Sequence, residues 1–182
     1  MRHILTILAV VWLAACANTP AKVVLNPEVK GASTGIGAGQ NVKLIVTGAA
    51  VDAPLLKGQS RFPLAQPATE TVKSKMREGL LRHGFNVDDF GATDRQLTVN
   101  VLKANNVVTS GALRDTIQVE VSLELVATAN AGTLTRTINT SQMREVGGDA
   151  SIGEVSSELN QSLGQALARA LNDVELLQSL GK

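Results

Sequence analysis

Apolar and polar residues alternate most regularly between positions 116 and 125. Ile117, Val119, Val121, Leu123 and Leu125 are apolar, and Gln118, Glu120, Ser122 and Glu124 between them are polar. A period of two over that length predicts a strand with one face in a core and the other toward water. Shorter alternation predicts strands at 42–47 and 97–101. After the Asn130-Ala131-Gly132 turn, a further strand is expected at 133–143. There Leu134 and Ile138 share a face with Arg136, and a one-residue bulge is the expected way to move the arginine out. Residues 22–25 are β-prone but stopped by Pro27, which makes a short first strand at best. Residues 105–111 read as a turn. A long loop at 48–65 carries Pro54, Gly58 and Pro63 and holds a strand fragment at 60–62; loops of that length in compact domains are often functional.

The period becomes helical in two places. Val72, Met76 and Leu80 form a stripe on a helix over 68–83. Gly84 stands where a left-handed cap belongs, and Phe85 where a Schellman motif places its apolar contact. Ser151 and Glu154 form a capping box. It opens a helix striped by Ile152, Val155, Leu159, Leu163, Ala166 and Ala170. Asn172-Asp173 breaks that helix, and Asp173 can cap a short last one through Leu180. One polar face per strand and one apolar stripe per helix predict an α+β fold. Its core would be a mainly antiparallel sheet of four to five strands with two helices packed on one face. The helix before the 97–101 strand would be a crossover, right-handed if the strands it joins lie parallel.

The N-terminus changes the picture of where this domain works. Arg2 and His3 precede an apolar run from Ile4 to Leu13, too short to span a bilayer, and Leu13-Ala14-Ala15-Cys16 follows. Small residues directly before a cysteine read as a lipobox. Residues 1–15 are then a lipoprotein signal peptide, 16–21 a lipidated N-terminus and short tether, and 22–182 a single periplasmic domain. Cys16 is the only cysteine, so no disulfide forms within the chain and the fold must rest on its core. Two or three acyl chains on one cysteine exceed the threshold for stable anchoring. Ala17, rather than Asp, after the cysteine favours the outer membrane by resemblance to lipoproteins of double-membraned bacteria.

Composition mostly excludes. The 182 residues hold three phenylalanines, one tryptophan and no tyrosine, too few aromatics for stacking platforms. Charges nearly cancel, at +1, without the basic stripe of a nucleic-acid binder.

With these elements placed, the chain resembles the YajG-like family of bacterial lipoproteins. The likeness rests on Leu13-Ala14-Ala15-Cys16, Asn26-Pro27, the strand from Asn41 to Val46 and the helix end Leu80-Leu81-Arg82-His83-Gly84-Phe85. The alternating strand 116–125 with its hairpin and the closing segment from Asp173 to Leu180 also match. Where some relatives carry an Asp–Arg pair after the second strand, Gly48-Ala49-Ala50 stands here, so no ionic site is carried over. The resemblance implies a lipoprotein on the periplasmic face of the outer membrane with no assigned catalytic residues.

Candidate chemistry is sparse. The glycine-rich stretch 31–39 leads into a strand and lacks the lysine of a phosphate loop, so a flexible loop is expected. His83, the only histidine after processing, lacks a nucleophile in the surrounding pattern and suits a helix-capping role. Asp88, Asp89 and Asp94 lack the spacing of a calcium loop and read as a solvated turn. The broadest candidate surface is the polar sheet face: Thr98, Asn100, Gln118, Glu120, Ser122 and Glu124. A free sheet edge could also accept a partner strand. No catalytic residue, metal or cofactor is expected beyond the covalent lipid on Cys16. The reading is a non-enzymatic envelope lipoprotein that meets a protein partner in the periplasm. The alternative is a binding module for a small or polymeric envelope ligand such as peptidoglycan.

Overall fold

The computed structural model describes residues 21–31, 33–48, 54–88 and 93–181. The signal peptide, Cys16 and its tether up to Pro20, Asp89, and residues 49–53 of the long loop lie outside the described residues.

The elements in chain order are β1 (Asn41–Thr47), β2 (Gln59–Ser60), α1 (Ala68–Arg82), β3 (Asn86–Asp88), β4 (Gln96–Ser110), β5 (Arg114–Ala129), β6 (Gly132–Gly147), α2 (Ile152–Leu171) and α3 (Val174–Gly181). Among the described residues they build one sheet of six strands in the order β3-β1-β4-β5-β6, with β2 pairing β4 as well. β1 runs parallel to both β3 and β4, while β4–β5 and β5–β6 are antiparallel. The sheet is therefore mixed, which corrects the expected mainly antiparallel arrangement. The cause is the crossover helix: β1-α1-β3 is a parallel unit, since a helix that returns along a sheet delivers the next strand in the same direction.

The alternation of β5 holds for the apolar row from Ile117 to Leu125, although Ser122 of the opposite row is buried too. Ile117, Val119, Val121, Leu123 and Leu125 are buried, with Val42, Leu44, Leu97 and Val99 on the same face of neighbouring strands. Against that face pack Val72, Met76 and Leu80 of α1, Val155, Leu159 and Leu163 of α2, and Leu176, Leu177 and Leu180 of α3. Three helices rather than two thus close the core.

Several expectations change once long-range pairing is present. The 105–111 segment is not a turn: β4 continues to Ser110 and pairs with β5 throughout. A bulge between Val101 and Lys103 shifts the alternation by one, so that Ala104, Asn106 and Val108 take over the inward positions. Asn106 is tolerated inside because its amide bonds both backbone groups of Phe62, each at 2.8 Å. No bulge occurs between β5 and β6, so Arg136 stays on the helix side. It pairs there with Asp173 at 3.3 Å and with Glu175. Arg144 likewise reaches Glu158 at 2.8 Å, and Thr140 bonds the Ser162 hydroxyl at 2.8 Å. The expected first strand at 22–25 is a single parallel bridge, Val23 to Leu64, and in place of the fragment expected at 60–62 stands the two-residue β2, which shares only Ser60 with it. Asp88 ends the three-residue β3 instead of opening a turn.

The glycine-rich segment is fastened, against the flexible loop expected of it. It wraps the end of α1, where helix carbonyls lack partners. Ser33 Oγ donates to the Arg82 carbonyl at 2.6 Å, Gly37 N–H to His83 at 2.9 Å and Gly39 N–H to Gly84 at 2.8 Å. Gly84, at φ +86°, and Phe85 complete the Schellman motif: their N–H groups donate to Leu81 and Leu80.

Candidate interaction face

All six polar residues singled out from the sequence fall on the sheet face opposite the helices. Thr98 and Asn100 lie on β4, and Gln118, Glu120, Ser122 and Glu124 on β5. Strand pairing sets Asn100 directly across from Glu124. The side chains form ladders. Thr47 Oγ1 donates to Asn100 Oδ1 at 2.6 Å, and Asn100 Nδ2 donates to Glu124 Oε2 at 2.8 Å. Glu120 accepts from Lys103 and from Gln118, both at 3.3 Å. Such bonds hold the face in one arrangement, which lowers the ordering cost of a partner that reads it.

Pairing also adds residues the alternation did not reveal. Opposite Glu120 stand Asn105 on β4 and Ser141 on β6, and Gln118 lies between Val107 and Met143. Asn105 and Val107 were hidden in the segment expected to turn. Asn139, Ser141 and Met143 were ambiguous until the side of Arg136 was known. The described part of the long loop borders this face. Leu56 and Arg61 join Val107, Gln118 and Glu120 around a concavity of about 350 Å³. The described part of the loop and the polar face, two separate candidates in the sequence, therefore adjoin, and the walls of the concavity between them are polar and aliphatic.

His83 lies elsewhere. It is buried at the α1 C-terminus, with Nδ1 2.9 Å from Thr34 Oγ1 and a second bond to the Leu171 backbone. Burial holds its pKa below the usual histidine value; the Arg82 charge adds to this and the Leu171 bond opposes it. With both nitrogens engaged, the ring joins α1, the glycine-rich loop and the end of α2. Asp94 sits in the turn before β4, and among the described residues no cluster of acids, histidines or cysteines is grouped to hold a metal.

A family model described as uncharacterized lipoprotein, Lipoprotein_16, matches residues 60–181, from the end of β2 through α3. The chain belongs to this lipoprotein family. No curated protein matches the lipoprotein's sequence. Among solved structures, a minor lipoprotein from Acinetobacter baumannii aligns with it at 9% identity and TM-score 0.41, over 79% of this chain and 94% of that one. The hypothetical protein CT253 from Chlamydia trachomatis aligns at 9% identity and TM-score 0.43, over 79% and 98%.

Proposed function

We propose that this lipoprotein is a non-enzymatic, YajG-like component of a Gram-negative envelope. Lipid on Cys16 holds it at the periplasmic side of the outer membrane, and it acts by protein contact through the polar sheet face. The observation that carries this reading is the collection of all six polar residues, with the loop concavity, on the one sheet face the helices leave uncovered. Tethering raises the effective concentration of the domain for any partner near the membrane. A face of bonded polar side chains suits a wet, reversible interface.

Photocrosslinking in cells tests it, with probes at Gln118 and Glu120 of the lipidated protein. A single dominant protein adduct shared by these probes is the expected result. With the protein confirmed in the outer membrane, no protein adduct from any of them sinks the reading. The concavity beside Gln118 and Glu120 favours one alternative, a binding module for an envelope ligand such as peptidoglycan. That reading predicts a ligand-dependent rise in Tm with peptidoglycan fragments.

A further inference from the structure

Two turns meet at one end of the sheet. The 55–58 turn, closed by Gln59 N–H to the Leu56 carbonyl at 3.0 Å, leans on the end of β4 through Ser110 N–H to the Gly58 carbonyl at 3.1 Å. Directly after Ser110, the β4–β5 hairpin turns, closed by Gly111 N–H to the Arg114 carbonyl at 3.0 Å. Each turn presents a leucine followed by a base: Leu56-Lys57 and Leu113-Arg114. These leucines are 71% and 86% exposed, the most open large apolar side chains among the described residues. Leu55, beside them, is 43% exposed.

The N-terminal segment leads to the same end. Val23 pairs with Leu64 in the parallel sense, and the chain from β2 to Leu64 runs away from the two turns. Ala21 and Lys22, ahead of Val23, therefore lie toward β2 and the turns. Seven peptide steps join Cys16 to Val23, a reach of at most roughly 25 Å when fully extended. The long strands, of 15 and 16 residues, span about 50 Å. Val23, beside Leu64, which is four residues past Ser60, stands part-way along β4, so a tether of that reach brings this end of the domain, rather than the far one, within range of whatever surface holds Cys16.

We infer that the paired Leu56 and Leu113 turns rest on the bilayer in which Cys16 is anchored, their leucines inserted at the headgroup boundary. This rests on the lipid anchor proposed above. Insertion is apolar in character: of the two bases at this end, Arg114 is paired with Glu145 at 3.2 Å, which weakens its positive field. Two leucines alone bind a bilayer weakly, and the acyl chains supply the attachment that makes their contact lasting. In this pose the strands rise from the membrane and the polar face looks sideways into the periplasm.

Site-directed spin labelling of the full lipidated chain tests the pose. Cys16 is the only native cysteine and its thiol is consumed by lipid, so Leu56→Cys, Leu113→Cys, Leu81→Cys and Val174→Cys can each carry one nitroxide. Leu81 and Val174 are exposed controls at the opposite end. The protein is placed in vesicles of phosphatidylethanolamine alone or with phosphatidylglycerol, and lipidation is checked by mass and by flotation. A severalfold higher ratio of oxygen to nickel-chelate accessibility at 56 and 113 than at 81 and 174, in both vesicle types, is expected. Lipidated protein that floats with all four labels equally in water overturns the pose and leaves the anchor standing. Contrast seen only with phosphatidylglycerol overturns apolar insertion in favour of charge. Protein that is neither lipidated nor floating overturns pose and anchor together.

Discussion

Single residues fix this fold where the chain comes closest to itself. A Cβ on Gly37 would lie 2.4 Å from the Phe85 backbone nitrogen, and backbone cannot swing aside. Gly37→Ala should therefore lower stability by about 1–3 kcal/mol, read as a shift in the denaturation midpoint with an unchanged slope. An unshifted midpoint would mean that the loop does not clasp α1 in solution. His83 gives a pH signature. Its folded pKa lies below the ordinary value of about 6.5, so well above that pH both states are neutral and the residue adds no slope. As pH falls through 6.5 the unfolded chain takes up a proton before the folded one, and stability drops. Tm should thus decline from pH 7 toward pH 5, where most carboxylates are still ionised. His83→Gln should flatten that decline even if it lowers Tm throughout. An equal slope in both proteins would remove His83 as its cause.

At the scale of elements, local signals and tertiary contacts divide the work. The capping box of α2 was legible because its two partners are three residues apart. Ser151 Oγ accepts from Glu154 N–H at 3.3 Å, and Glu154 accepts from Ser151 N–H at 2.9 Å. The Ser151 N–H, joined by the Ser151 hydroxyl donating to the same carboxyl at 2.7 Å, also holds the Glu154 carboxyl below its usual range. Ser151→Ala should cost about 1 kcal/mol, measured by chemical denaturation, and leave the sheet's far-ultraviolet signal unchanged. The N-terminal segment shows the opposite case. Asn160 accepts from Asn26 N–H at 2.7 Å and donates to the Val24 carbonyl at 2.9 Å. A Cβ on Gly164 would meet the Glu28 carbonyl at 2.6 Å. No local pattern announces a clasp across 134 residues. Asn160→Ala should raise hydrogen exchange across residues 22–30 while exchange in β5 stays slow; protection unchanged in both would mean the segment is held by its apolar contacts alone. β3 was equally invisible, since three residues carry no period and form a strand only against β1.

For the whole molecule, the proposed anchor and pose would decide what the polar face can meet. If the proposed anchor holds, Cys16→Ala should move the protein from the membrane pellet to the soluble periplasmic fraction without changing the Tm of the domain, because among the described residues the core begins at Val23. Loss of anchoring together with loss of folding would contradict a tether that is separate from the domain. The candidate face was half legible. Its β5 row and the start of β4 stood out by alternation, but the bulge after Val101 broke the rhythm that would have revealed Asn105 and Val107.

The sequence by itself determined those elements whose causes lie within a turn or a strand's length: the alternating β5, the stripes of α1 and α2, the Schellman end at Gly84 and the cap at Ser151. Short-range periodicity and capping are written in neighbouring residues, so they can be read one segment at a time. Only the tertiary structure decided the parallel pairing of β1 with β3 and β4, the inward side of Arg136 and the union of the 54–65 segment with the polar face. Each of these depends on a partner far along the chain. Asp173 and Glu175 give Arg136 an ionic reason to face the helices, and Phe62 gives Asn106 a backbone to bond. A polar residue's side of a sheet follows from the group it meets there, and that group is supplied by folding.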